Sequence, residues 1–172
     1  MSTEKFKGKY RIETNRCLHW NYSSNGAYFI TICTANRENY FGEIVDAEMK
    51  LSEIGQIAKY EWLKTKKIRP DMNITLHEFC IMPNHFHAII KIDDINPANM
   101  VTKNKFGPQS KNLGAIVRGF KSVVKKYATI NKIEFAWQSN YHDHIIRNDE
   151  EFYKIRNYIR NNPKNWKEDQ FY

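Results

Sequence analysis

Hydrophobic periodicity along these 172 residues runs β, α, β, β, α, β and then helical once more. That order predicts an α+β fold, a ferredoxin-like antiparallel sheet with helices packed on one face, followed by an additional C-terminal helix. Two further observations support the class. A hydrophobic content of 41% over this length is enough for one core, so a single domain over 1–172 is expected. No internal repeat interrupts the pattern.

Each element has its own signal. Residues 1–26 are polar and basic and read as an N-terminal arm or irregular segment. "AYFITICTAN" (27–36) alternates β-branched and aromatic residues and reads as a strand, and "NYFGEI" as a short second strand or a turn. Ser52 caps a helix over "SEIGQIAKYEWLKTKK", where Ile54, Ile57, Ala58 and Trp62 recur at helical spacing until Pro70 ends the element. "ITLHEFCIM" and "HFHAIIKI" are two strands joined at Pro83-Asn84. Residues 93–112, polar with two prolines, read as a mobile loop. From Leu113 to Ala128 an apolar face runs through Ile116, Val117, Phe120, Val124 and Tyr127, with Arg118, Lys121 and Lys125 tracing another face. "IEFAWQ" (133–138) reads as the next strand. The last helix begins at Asn148, with Glu151 completing a capping box, and stops at Pro163.

Composition bounds the function. A formal charge of +8 favours a polyanionic partner, nucleic acid before an acidic membrane. Cys17, Cys33 and Cys80 are odd in number, far apart and without a CxxC, which argues against a disulfide framework or a zinc ribbon. No apolar run approaches the roughly 18 residues of a membrane span, and the opening lacks a signal-peptide core. A cytoplasmic, reducing location is expected.

Within "IMPNHFHAII", His85 and His87 stand two residues apart on a strand, so both project from one face while Phe86 points to the other. Such a pair can converge on one divalent ion, and it can equally be two satisfied core histidines. Two ligands are too few for a closed structural zinc site, so a third would come from another element and leave open positions. In "IRNYIRNNPKNW", Tyr158 and Asn162 share a helix face four residues apart. They could serve as nucleophile and ligand, or as a core-edge tyrosine and a helix cap. Tyr153, Tyr141 and the second histidine pair in "HDH" (142–144) are rivals that residue types alone leave in play. The "HDH" segment reads as a loop.

"MPNHFHAIIKI" together with "YIRNNPKNW" resembles the single-tyrosine HUH transposases (IS200-like), specifically the REP-associated tyrosine transposases. "GAYFITICTANRENYFGEI", "LSEIGQIA", "RGFKS" and "WQSNYHDHIIRNDEEF" add to the likeness, which spans about Gly26 to Trp166. The resemblance implies a transposase that cleaves and rejoins single-stranded DNA at hairpin-forming repeats. It implies Tyr158 as the nucleophile forming a 5′-phosphotyrosine, and His85, His87 and Asn162 as ligands of Mg2+ or Mn2+. Imidazole suits manganese better than magnesium, which prefers oxygen.

For DNA contact, Arg118, Lys121, Lys125 and Arg147 are the candidates, against the plain alternative of a solvated helix face. Trp137, Tyr10, Trp20 and Tyr22 could stack on unpaired bases, although Trp137 suits a core. The competing functions are a catalytically inactive nucleic-acid-binding module and a phosphodiesterase using metal-activated water. Either a monomer or a homodimer is expected.

Overall fold

A computed structural model describes residues 25–93 and 110–169. The expected arm over 1–26, with Tyr10, Trp20 and Tyr22, and the expected loop over 93–112 lie almost wholly outside these residues.

Among the described residues, six strands and three α-helices follow one another: β1 (Gly26–Cys33), β2 (Gly42–Val45), β3 (Glu48–Leu51), α1 (Glu53–Leu63), β4 (Asn73–Met82), β5 (His85–Asp93), α2 (Leu113–Ile130), β6 (His142–Ile146) and α3 (Asp149–Asn161). Four strands form an antiparallel sheet in the order β4-β5-β1-β6, and β2 and β3 form a separate hairpin. This is the α+β arrangement that the periodicity predicts.

Alternation in β1 and β5 sorts the side chains onto two faces. Tyr28, Ile30, Ile32, Phe86, Ala88 and Ile90 point to one side and are fully buried with Ile54, Trp62, Ile116 and Phe120 of α1 and α2. Trp62, Phe86 and Phe120 meet there with ring centroids 4.9–5.5 Å apart. Each such side chain contributes about 1.5–3 kcal/mol through burial. The other face carries His85, His87 and Ile89, and α3 covers it through Ile159, Ile155 and Phe152. Among the described residues, two helices therefore pack on one face, and α3 with the segment that follows it covers the histidine face.

Capping follows the sequence. Ser52 Oγ accepts from Gly55 N at 3.1 Å, Asn112 Oδ1 from Ala115 N at 2.8 Å, and Asn148 Oδ1 from Glu151 N at 2.8 Å. "NYFGEI" contributes to the β2–β3 hairpin, whose two-residue turn places Asp46 and Ala47 at φ 51° and 61°. Gly42, at φ +131°, is required where it stands, since a Cβ there would lie 2.0 Å from Lys50 O.

One strand is displaced from its expected place. Residues 133–138 form no strand: Phe135 and Trp137 bury their rings against Phe41, while the backbone is held by a single bridge from Trp137 to Thr34. Lys125 Nζ donates to Phe135 O, so α2 satisfies a backbone carbonyl that a sheet would otherwise pair, and Trp137 Nε1 donates to Lys121 O. The fourth strand is instead His142–Ile146, the segment read as a loop. Among the described residues it is an edge strand paired with β1 alone, so it needs little apolar character.

Candidate active site

The site lies where β5, the centre of the sheet, passes beneath α3. In register, His85 sits between Cys33 and Met82, and His87 between Thr31 and Cys80. The two imidazole centroids are 4.4 Å apart, and both residues are buried. Their Nδ1 atoms are fixed by Asn84, in the turn between β4 and β5, and by Thr31 of β1. Asn84 Oδ1 lies 2.9 Å from His85 Nδ1, and Thr31 Oγ1 lies 2.8 Å from His87 Nδ1. An amide oxygen only accepts, so the proton of His85 resides on Nδ1 and the lone pair on Nε2.

Burial holds both rings neutral. It lowers the His85 pKa to about 3, with the positive charge of Arg37 assisting. Burial, followed by the His85 ring, holds His87 well below the usual histidine range, against the opposing pull of Asp169. Beside them Cys80 is pushed up to about 12, chiefly by burial, and remains a thiol.

Tyr158 enters from α3. Its Oη is 3.2 Å from His87 Nε2, and its ring stands edge-on to Phe29 at 6.2 Å. The hydroxyl donates to Asp169 Oδ2 at 3.0 Å, and Asn162 Nδ2 donates to the same oxygen at 2.6 Å. Burial first, then the Asp169 carboxylate, raises the phenol pKa above its ordinary value, with Asn162 opposing. Trp166, in the short 3-10 turn after α3, lies 5.9 Å from the His85 ring.

His85, His87 and Asp169 each present a donor atom, all within 4.8 Å of one another. Asn162 is 2% exposed, and its Oδ1 is buried without a hydrogen bond. A buried acceptor in that state is costly unless something satisfies it. Two neutral imidazoles, a carboxylate and an amide oxygen are a donor set that fits a divalent cation with mixed nitrogen and oxygen preference, such as manganese.

The structure thus brings His85, His87, Tyr158 and Asn162 together. It adds Asp169, which lies eleven residues after Tyr158 in a segment without apolar periodicity. Only the chain reversal after Pro163 delivers that carboxylate. The rival groups stand apart from this cluster. Tyr153 is 57% exposed, Tyr141 packs with the core on the opposite face, and His144 Nε2 pairs with Glu151 at 2.6 Å, tying β6 to the first turn of α3.

The basic residues divide. Arg118 is exposed on α2 and Arg147 is exposed after β6. Lys121 Nζ donates to Gln138 O at 2.6 Å, Ser139 O at 3.3 Å and Asn140 O at 3.4 Å. With Lys125 on Phe135 O, these two ammonium groups fasten the 135–140 segment. Helix α2 packs on the face away from the histidines, so its stripe is not gathered around them.

Helix α3 is anchored by charge as well as apolar contact. Glu78, at the β-bulge of β4, receives both Arg156 and Arg160.

A tyrosine-bearing helix laid over a histidine pair on such a sheet is the layout of a transposase domain. The fold is shared with the solved structure of a REP-associated tyrosine transposase bound to a REP hairpin, with a TM-score of 0.61, 19% identity, and coverage of 91% of this chain and 74% of that one. The family model "Transposase IS200 like" matches residues 22–162, and this chain belongs to that family. It is also 39% identical to an uncharacterized protein of Haemophilus influenzae, over 100% of this chain and 99% of the relative.

Proposed function

We propose that this chain is a metal-dependent endonuclease and strand transferase acting on hairpin-bearing single-stranded DNA. The observation carrying that reading is the Tyr158 hydroxyl 3.2 Å from His87 Nε2, with α3 and β5 each contributing one side. Tyr158 Oη attacks phosphorus, the bond to the 3′-oxygen breaks, and a 5′-phosphotyrosine and a 3′-hydroxyl result. Rejoining is the reverse step, with a 3′-hydroxyl displacing the tyrosine, so the bond energy is retained and no ATP is needed.

His85 and His87 would hold the divalent ion, with oxygen from Asn162 or Asp169. When bound, the ion neutralises phosphate charge and polarises the phosphoryl group. Thr31 and Asn84 keep each ring turned by fixing its Nδ1. Asp169 Oδ2 is the acceptor already bonded to the phenol and is placed to receive its proton as attack proceeds. In the metal-free site, burial and that carboxylate hold the phenol's pKa above its ordinary value, so the hydroxyl keeps its proton there. Arg118 and Arg147 are the exposed cations for flanking phosphates, and Lys121 and Lys125 act mainly through the backbone they hold.

The REP hairpin in the structural relative makes a hairpin with a randomised single-stranded foot the substrate of choice. Labelled DNA of this kind, incubated with Mn2+ and resolved on a denaturing gel, should give a covalent adduct that Tyr158→Phe abolishes. Cleavage without an adduct would point to metal-activated water, and binding without cleavage to an inactive binding module.

A further inference from the structure

Two strands from the histidine pair stands another imidazole on the same face, and the chemistry proposed above does not use it. Thr31 of β1 is paired in register with His87 of β5 on one side and with His142 of β6 on the other. Directly paired residues of antiparallel strands point to the same face of a sheet. Thr31 faces the site, since its Oγ1 lies 2.8 Å from His87 Nδ1. His142 therefore projects from the histidine face as well. The next alternate residue of β6 agrees: His144, opposite Phe29, reaches Glu151 of α3 at 2.6 Å. Two strand steps place the His142 and His87 Cα atoms about 10 Å apart.

Helix α3 leaves His142 uncovered. The helix starts over β6, where Glu151 takes His144, and crosses to β4. There Phe152 stands edge-on to His77 with centroids 5.0 Å apart, and Arg156 and Arg160 meet Glu78. His142 is exposed. Among the described residues, no hydrogen bond, ion pair or ring contact engages its imidazole. It stands outside the group of His85, His87 and Asp169, whose donor atoms lie within 4.8 Å of one another, so it is a neighbour of that group rather than a member. An imidazole at this edge offers an N–H to a phosphate oxygen. At roughly 3.4 Å of rise per stacked nucleotide, a few nucleotides cover the distance from the pair.

We propose that His142 is a DNA-contacting residue of the site, its imidazole donating to a phosphate that flanks the one held at the His85–His87 pair, so that the bound strand leaves the site over β6. This rests on the nucleic-acid function proposed above. The test measures binding of a fluorescently labelled DNA hairpin with an oligothymidylate foot in Mn2+. The full chain carries Tyr158→Phe, so that no adduct forms during the titration. In that background His142→Ala should weaken binding about tenfold, the scale of one hydrogen bond to a charged group. His142→Gln, which keeps an N–H donor, should recover part of the loss. The thermal midpoint of His142→Ala should stay near that of its parent, as for other exposed positions. Its response to Mn2+ should match the parent's, since the metal group is untouched. A scan of single methylphosphonates along the foot then locates the contact. At one position the neutral linkage should weaken the parent and leave His142→Ala no weaker, as expected for two halves of one contact.

Equal affinity of His142→Ala and its parent would overturn the proposal. So would losses that add at every methylphosphonate, or a loss of affinity that tracks a lowered midpoint. A smaller response to Mn2+ in His142→Ala would overturn it too, by marking a metal ligand. If the wild-type chain bound no such DNA, the function proposed above would fall together with this inference. If it bound the DNA without forming an adduct, only the cleavage chemistry would fall, and the scan would still decide His142.

Discussion

Tyr158 Oη and His87 Nε2 approach to 3.2 Å across 71 positions of sequence. Nothing local creates that contact. It follows from Ile159 and Ile155 seating α3 on the same sheet face that β5 gives to its histidines. Several consequences of this seating can be measured.

Cation binding should stabilise the fold. At a hundredfold excess over its Kd, Mn2+ should add about 2.7 kcal/mol, and the thermal midpoint should rise by about 5–10 °C. His87→Ala should abolish the rise, and Asn162→Ala should reduce it. Differential scanning fluorimetry with and without EDTA checks both.

Acid should destabilise the metal-free protein. An unfolded histidine titrates near 6.5, whereas folded His85 does so at about 3 and folded His87 is also well below 6.5. As pH falls below 6.5 the unfolded chain therefore binds protons that the native chain refuses. Stability is fully present above about pH 6.5 and declines toward the folded values, by up to about 1.4 kcal/mol per pH unit for each ring. Urea titrations between pH 7 and 4 should show this slope, with His85→Gln flattening it.

Glu78 holds α3 by two guanidinium groups, and its side chain is 19% exposed. Glu78→Gln should cost about 1–2 kcal/mol, between the values for surface and buried pairs. Under the proposed mechanism, adduct formation should slow more than DNA affinity falls, because the helix that carries Tyr158 is loosened. Single-turnover rates set beside anisotropy titrations separate the two effects.

Lys121 and Arg118, neighbours on one helical stripe, should behave differently. Lys121→Met leaves three carbonyl oxygens without their donor and should lower stability by about 1–3 kcal/mol. Arg118→Ala should leave the thermal midpoint nearly unchanged and weaken DNA binding, with a shallower salt dependence. Thermal melts and salt titrations of the two variants provide the comparison.

Much of this arrangement was legible from residue patterns. The caps at Ser52 and Asn148, the period-two strands around the histidines and the helical spacing of α2 all report local physics. Tyr158 and Asn162 were legible as a same-face pair. Residues 133–138 misled because Phe135 and Trp137 have the composition of a strand, although their burial comes from rings wedged against Phe41. The strand at 142–146 hid because an edge position with histidine face outward carries little apolar signal. Asp169 has no periodic relation to Tyr158, and its role depends on how the chain turns after Pro163.

Because the helix that carries Tyr158 lies on the sheet of its own chain, the proposed reactivity should be inherited chain by chain. A mixture of Tyr158→Phe and His87→Ala molecules should stay silent at any concentration, since neither can lend the other its intact half.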